Sequence, residues 1–337
     1  MKAIGLTRYL PISDPNSLLD IEVEKPVPSK RDILVAIKAI SVNPVDTKVR
    51  SPKAGEENPA KILGWDASGI VEEIGDEITL FKKGDEVFYA GDITRQGSNA
   101  QYQIVDERIV GLKPKSLSFE QAAALPLTSI TAYESLFDRL KIDYKGADKG
   151  KTILIIGGAG GVGSIAIQLA KLAGLNVIAS ASRAKTIDWV KQFGADEVVN
   201  HRQKMQPQIA KLGHDFVDYI AIFNDTDGHW LDVAQMIKPQ GSIVSIVESK
   251  KPMEMSLIRS KSVTLVWELM FTRAMFETDD MIKQHLILNQ IADLIDAQKI
   301  RTTLETILSP INATNIKKAH AMLEAGNTNG KIVISGF

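Results

Sequence analysis

The sequence predicts an α/β protein: a doubly wound parallel sheet of six strands, joined to a second, β-rich domain. Three observations carry this expectation. From Thr152 onward short apolar runs alternate with helical patterns, and a glycine-rich segment links the first run to the first helix. The first 125 residues show short strand-like runs without that alternation.

In the N-terminal region, Ile33 to Ile40, Ile70 to Ile74 and Glu86 to Tyr89 read as strands separated by Pro, Gly and Asp. The six parallel strands are expected at Ile153 to Ile156, Val177 to Ala179, Val198 to Val199, Val217 to Phe223, Ile243 to Ile246 and Val263 to Val266. Between them, Ser164 to Ala173 places Ile165, Leu169 and Leu172 on one helical face, and Gly174 stops it where left-handed backbone is needed. Trp189, Val190 and Phe193 precede Gly194, and Trp230, Val233, Ala234 and Ile237 precede Pro239, so both stretches read as amphipathic crossover helices. Gly330 to Phe337 reads as a last strand able to rejoin the β-rich domain. The predicted boundaries are therefore 1–127 with 268–337 for the β-rich domain and 128–267 for the parallel sheet.

Composition narrows the functions. The chain has 337 residues and 44% hydrophobic content, with 40 Lys plus Arg against 41 Asp plus Glu. A sizeable core is possible, and no global field draws the protein to nucleic acid or an anionic membrane. Its expected partner is a small molecule. Cysteine is absent, which removes disulfides, thiolate nucleophiles and sulfur-ligated zinc. The N-terminal residues lack an extended apolar run, so neither a signal peptide nor a membrane span is expected and the default location is cytoplasmic.

The glycine-rich segment, Thr152-Ile-Leu-Ile-Ile-Gly-Gly-Ala-Gly-Gly-Val-Gly163, holds Gly158, Gly160 and Gly163 in G-x-G-x-x-G register between strand and helix. That is the context of a Rossmann dinucleotide site. The diphosphate is expected over Gly160, Gly161 and Val162, at the positive end of the helix. NAD sites place an acidic residue about 20 residues further on, to bind the ribose hydroxyls. Here no acidic residue occurs between Lys171 and Asp188, and the strand end reads Ser180-Ala-Ser-Arg-Ala-Lys185. Ser180, Ser182 and Arg183 can donate hydrogen bonds to a 2′-phosphate, so NADPH is favoured over NADH. The alternative for Arg183 and Lys185 is a solvated first helical turn. His201, past the third strand, is read either as lining the adenine pocket or as an exposed strand-end residue. All five histidines lie at or beyond position 201, leaving the N-terminal domain without His or Cys, and no zinc is expected there.

These residues resemble the medium-chain dehydrogenase/reductase superfamily, and within it the zinc-free quinone-oxidoreductase branch. The resemblance spans the chain through Val42-Asn-Pro-Val-Asp-Thr-Lys-Val-Arg50, Gly64-Trp-Asp-Ala-Ser-Gly69, Ala124-Leu-Pro-Leu-Thr-Ser-Ile-Thr131 and Gly157-Gly-Ala-Gly-Gly-Val-Gly163. Tyr89-Ala-Gly-Asp-Ile-Thr-Arg-Gln-Gly-Ser98 and Met270-Phe-Thr-Arg-Ala-Met-Phe276 look like a bacterial subgroup labelled zinc-type alcohol dehydrogenase-like.

The resemblance implies a GroES-like catalytic domain around the Rossmann domain, and a homodimer. Trp65 stands where zinc-dependent relatives carry a ligand histidine, and the ligand cysteines are replaced near Val45 and Leu127. Trp65 is then either an aromatic wall of the nicotinamide pocket or core filling a vacated metal cavity. Asn43 and Asp46 correspond to the N-x-x-D residues that border nicotinamide and substrate, and Thr131 to a cofactor-contacting position. Lys48 replaces a frequent tyrosine, and is read as a proton donor or as an exposed rim residue. The expected reaction is hydride transfer from NADPH to a quinone or α,β-unsaturated carbonyl, with reacting atoms held about 3–3.5 Å apart in an interdomain cleft. The competing expectations are an enoyl-thioester reductase and an NADPH-binding redox sensor without turnover.

Overall fold

The run Thr152–Ile156 is buried along its whole length, as a central parallel strand covered on both faces must be. In the computed structural model, which describes residues 1–337, it lies in the second of two units, Thr131–Met270; the first unit comprises Met1–Ile130 and Phe271–Phe337.

In chain order the strands of the first unit are β1 (Lys2–Arg8), β2 (Leu19–Glu22), β3 (Asp32–Ser41), β4 (Glu56–Ile62), β5 (Ala67–Ile74), β6 (Glu86–Tyr89), β7 (Tyr102–Asp106) and β8 (Val110–Leu112). The second unit supplies β9 (Thr152–Ile156), β10 (Asn176–Ser180), β11 (Glu197–Val199), β12 (Val217–Ile222), β13 (Ile237–Ser245) and β14 (Thr264–Trp267). The chain then returns to the first unit with β15 (Leu304–Leu308) and β16 (Lys331–Ser335).

The second unit is one six-stranded parallel sheet of order β11-β10-β9-β12-β13-β14, the doubly wound arrangement that the sequence predicts. One of its cores gathers Leu154, Ile156, Ile178, Ile220 and Ile222 from the sheet with Trp230 and Val233 from the Thr226–Met236 helix. Full burial of each such aliphatic side chain contributes roughly 1.5–3 kcal/mol. Gly174 and Gly194 have φ of +82° and +106°, so both follow their helices in the left-handed conformation expected of them. Two details differ from the sequence expectation. The helix after the glycine turn starts at Gly161, three residues early, because the turn itself supplies its first residues. Ile237 begins β13 instead of closing the preceding helix, and Pro239 sits where the register jumps from Val217↔Ile237 to Tyr219↔Ser242. A proline has no N–H for the ladder, so the chain loops out there.

In the first unit, a sheet of order β15-β16-β3-β5-β6-β8, with β7 also paired to β3, packs beside a smaller sheet of order β2-β1-β4. β16 rejoins this unit as predicted, antiparallel to β3 through Val333↔Ser41 and Ile334↔Ile40. That pairing carries Lys331 to the start of the Pro44–Arg50 helix, which follows β3.

Candidate active site

The cofactor half is built from backbone. Gly157, at the end of β9, has φ of +86°, and a Cβ on Gly163 would meet Gly157 O at 2.3 Å. Only glycine at 163 lets the helix seat so closely on the turn. Gly160 is the N-cap of the Gly161–Leu172 helix in extended conformation and brings no side chain to cover its amides. Gly160 is exposed and Gly161 and Val162 are half-buried, so the first N–H groups of the helix stay open, whereas Gly158 and Gly163 are packed inside. Ser164 Oγ braces the corner, donating to Gly160 O at 2.7 Å and accepting from Trp189 Nε1 at 2.8 Å. This geometry fits a dinucleotide pyrophosphate, which Gly160 to Gly163 could hold.

The residues from the end of β10 onward divide. Ser180 is 1% exposed, and its hydroxyl accepts from Gly157 N at 3.0 Å, so it fastens the glycine turn and does not face outward to a phosphate. In this arrangement the hydroxyl serves a buried turn amide, which takes the nearest acceptor. Ser182 and Arg183 are half-buried at the start of the Ala184–Gln192 helix, which Arg183 N caps through Thr186 Oγ1 at 3.0 Å. His201 lies two residues past β11, with Nδ1 buried and unpartnered and its ring edge-on to His229 at 6.3 Å. Thr131, 5% exposed, lies in the Pro126–Tyr133 helix.

The first unit holds a different kind of site. Asn43 caps the Pro44–Arg50 helix, and its N–H donates to Asp46 Oδ2 at 2.7 Å. Its Nδ2 donates to Asp66 Oδ2 at 2.8 Å, and Lys331 Nζ donates to the same oxygen at 2.8 Å, to Val42 O at 3.0 Å and to Asn43 Oδ1. Leu127 N donates to Asp66 Oδ1 at 2.8 Å. Asn43, Asp46, Asp66 and Lys331 are all at most 4% exposed. Burial pushes the Asp66 carboxyl up, while Lys331, Leu127 N–H and Asn43 pull it back. Asp46 has one oxygen, Oδ1, buried without a partner. Burial pushes its carboxyl up to about 7, against the pull of Asn43 N–H and Lys331 and with a small push from Asp66.

The helix bearing Asn43 and Asp46 is anchored at its other end. Arg50, 1% exposed, donates from Nε to His320 Nδ1 at 3.3 Å and from Nη1 to Leu10 O at 2.5 Å, and pairs with Glu324. Burial, with Arg50 beside it, holds the His320 imidazole down to about 3, so the ring is neutral.

Two expected members are placed elsewhere. Lys48 is on the exposed face of its helix, outside the buried cluster, because Asp46, Thr47 and Arg50 take the inward phase. Trp65 is fully buried, donates Nε1–H to Asp92 O at 3.2 Å and stands edge-on to Phe271 at 6.1 Å. That is the environment of a core side chain, not of a pocket wall, which an indole with its polar edge already satisfied readily becomes. The sequence reading missed Asp66 and Lys331 as site residues. Their one signal is a lone charge inside an apolar strand run, in Ile62-Leu-Gly-Trp-Asp-Ala67 and in Gly330-Lys-Ile-Val-Ile334.

Comparison with known proteins places this architecture. A family model described as an alcohol dehydrogenase GroES-like domain matches residues 29–126, and one described as a zinc-binding dehydrogenase matches residues 161–284. The zinc-type alcohol dehydrogenase-like protein SAS2087 of Staphylococcus aureus (strain MSSA476) is 43% identical over 99% of this chain and 100% of its own. The chain belongs to the medium-chain dehydrogenase/reductase superfamily. A crystal structure of another likeness, a putative zinc-dependent alcohol dehydrogenase protein from Rhizobium etli CFN 42, matches this medium-chain fold with a TM-score of 0.95. It is 49% identical and covers 100% of this chain and 98% of that one. The 2-methylene-furan-3-one reductase of Solanum lycopersicum is 30% identical over 99% of this chain and 79% of its own.

As a medium-chain dehydrogenase/reductase the protein is an oxidoreductase with a nicotinamide nucleotide as its class of cofactor. The zinc in its relatives' names does not fit the residues present. No three His, Cys, Asp or Glu side chains converge anywhere to hold a metal ion, and the carboxylate nearest Trp65 in sequence, Asp66, already holds the Lys331 ammonium. No helix is long and apolar enough to cross a membrane.

Proposed function

We propose that the protein is a zinc-independent, NADPH-dependent reductase of α,β-unsaturated carbonyl compounds or quinones, acting in the cytoplasm as a homodimer. The observation that carries the cofactor choice is the end of β10, where Arg183 and Ser182 follow the strand and no carboxylate occurs between Lys171 and Asp188. A 2′-phosphate meets a guanidinium there and no repelling acid. The tomato relative's name, a furanone reductase acting on a methylene-conjugated ketone, favours an enone acceptor, and the resemblance to the quinone-oxidoreductase branch favours quinones.

When bound, the nucleotide supplies a hydride equivalent. The chain's own residues do the rest. Amides of Gly161 and Val162 fix the diphosphate, and Arg183 and Ser182 hold the ribose phosphate. Asn43, locked by Lys331 and Asp66, holds the first turn of the Pro44–Arg50 helix in place and with it Asp46. Asp46 Oδ1, buried, unpartnered and on a carboxyl raised to about 7, is the candidate proton donor, whereas Lys48 lies on the exposed helix face outside the buried cluster.

The test is loss of nicotinamide absorbance when the purified protein is mixed with NADPH and a panel of simple enones, quinones and an enoyl thioester. Turnover on enones or quinones supports the reading, and turnover confined to the thioester replaces it with an enoyl-thioester reductase. Tight NADPH binding without turnover on any of them supports a redox sensor. Arg183→Ala is expected to weaken NADPH about tenfold, as loss of a charge-assisted pair does, and to leave NADH unaffected. Equal losses for both nucleotides remove Arg183 from the phosphate site.

A further inference from the structure

β10 and β11 are parallel neighbours, in register through Ala179↔Val198 and Ser180↔Val199. Arg183 therefore leaves one strand, and His201 and Arg202 the other, at the same carboxyl edge of the sheet, where doubly wound folds bind ligands. His229 reaches the same place from the Thr226–Met236 helix, its ring meeting His201 at 6.3 Å and 80°. Nδ1 of His201 is buried with no hydrogen-bond partner.

The charged groups facing His201 are all basic or potentially so: His229, Arg202 and Arg183. Those facing His229 are Asp225 and Asp232, both from its own helix or its cap. Without a ligand, both imidazoles are held below their ordinary range, first by burial and, for His201, then by its basic neighbours. Proton loss thus spares both rings the cost of a buried charge and, for His201, the repulsion of its basic neighbours. A phosphate monoester brings a charge of about −1.5 to −2 and three acceptor oxygens, which reverses the sign of the local field.

We propose that the His201–His229 pair takes up a proton when the 2′-phosphate of the nucleotide binds beside it, so that pH as well as fixed charge sets the preference for the phosphorylated nucleotide. The inference rests on the NADPH reading above and extends it to a proton-coupled anion site with Arg202 and His229 as additional specificity residues. The sign follows from linkage. A ligand that raises the pair's affinity for a proton binds best where the pair is protonated, and loses affinity as pH rises, by up to about tenfold per pH unit for one proton. A nucleotide without the phosphate shows no such slope.

The experiment is titration calorimetry of the full chain with adenosine 2′,5′-bisphosphate and with AMP at pH 7.5, in two buffers of different ionisation enthalpy. The expected result is net proton uptake with the bisphosphate and none with AMP. Uptake should vanish in the double variant His201→Gln/His229→Gln, whose bisphosphate affinity should no longer fall between pH 6.5 and pH 8 beyond what the phosphate's own titration produces. Tighter binding of the bisphosphate than of AMP with no uptake, or with uptake unchanged in the double variant, overturns the inference and leaves the NADPH reading standing. Equal affinity for the two ligands overturns both. Should the double variant fail to fold, imidazole carbon shifts of the unaltered chain decide: the two rings must titrate at higher pH with bisphosphate bound, and unmoved midpoints overturn the inference.

Discussion

In the first unit Asn43, Asp66 and Lys331 direct their polar atoms at one another inside a closed core, whereas in the second the helix start at Gly161 and Val162 offers backbone donors to solvent. The difference separates two ways of placing charge. Backbone amides at a helix start are fixed by the fold and need a ligand to complete them. The buried cluster supplies its own counterion, and its stability depends on every member being present.

The sharpest way to break this contrast is Lys331→Met. It leaves Asp66 buried without its cation, and a loss of about 3–5 kcal/mol is expected in urea unfolding. The Asp66→Asn/Lys331→Met double variant, which removes the charge and keeps an acceptor for Leu127 N, should recover part of that loss. A single variant as stable as the parent would show that the cluster is not held together by its charges.

Asp46 predicts a pH dependence of opposite sense to that of a paired carboxylate. Its group ionises near 3.8 when free and near 7 in the folded chain, so between those values the folded state binds more protons. Stability from this group is full at about pH 4, falls as pH rises to about 7 and is flat above, by roughly 4 kcal/mol at most. Asp46→Asn should flatten that slope and raise the melting temperature at pH 8. An unchanged slope would assign the low-pH behaviour to another group.

In the backbone-built site, Gly163→Ala places a methyl 2.3 Å from Gly157 O and should cost about 1–3 kcal/mol of stability while weakening both nucleotides together. A loss confined to NADPH would mean that the turn had not moved. The smallest effect is expected of Lys48→Ala, which should leave turnover and stability unchanged. A tenfold fall in turnover would return the proton-donor role to Lys48.

The second unit was legible because its signals are local. Each strand is an apolar run, each helix has its period, and Gly174 and Gly194 mark helix ends that the structure reproduces. Lys48 was legible in principle, since the inward positions 46, 47 and 50 of a seven-residue helix leave 48 outside. Ser180 was not, because whether a hydroxyl turns toward a ligand or a backbone amide depends on Gly157, 23 residues away. The Asp66–Lys331 pair lies further from local reasoning still: its members are 265 residues apart, and a single lysine in Gly330-Lys-Ile-Val-Ile334 reads like any solvent-facing strand residue. Only the return of β16 to β3 brings the two together.

That return has a consequence for biosynthesis. Asp66, Asn43 and Asp46 leave the ribosome early, and the entire Thr131–Met270 unit must emerge before Lys331 does. During that interval the acidic pair waits without its counterion, so the first unit reaches its final electrostatic state late, after its neighbour has had time to fold. A nascent chain arrested before β16 would carry the whole six-stranded parallel sheet and an unfinished Asp66 cluster.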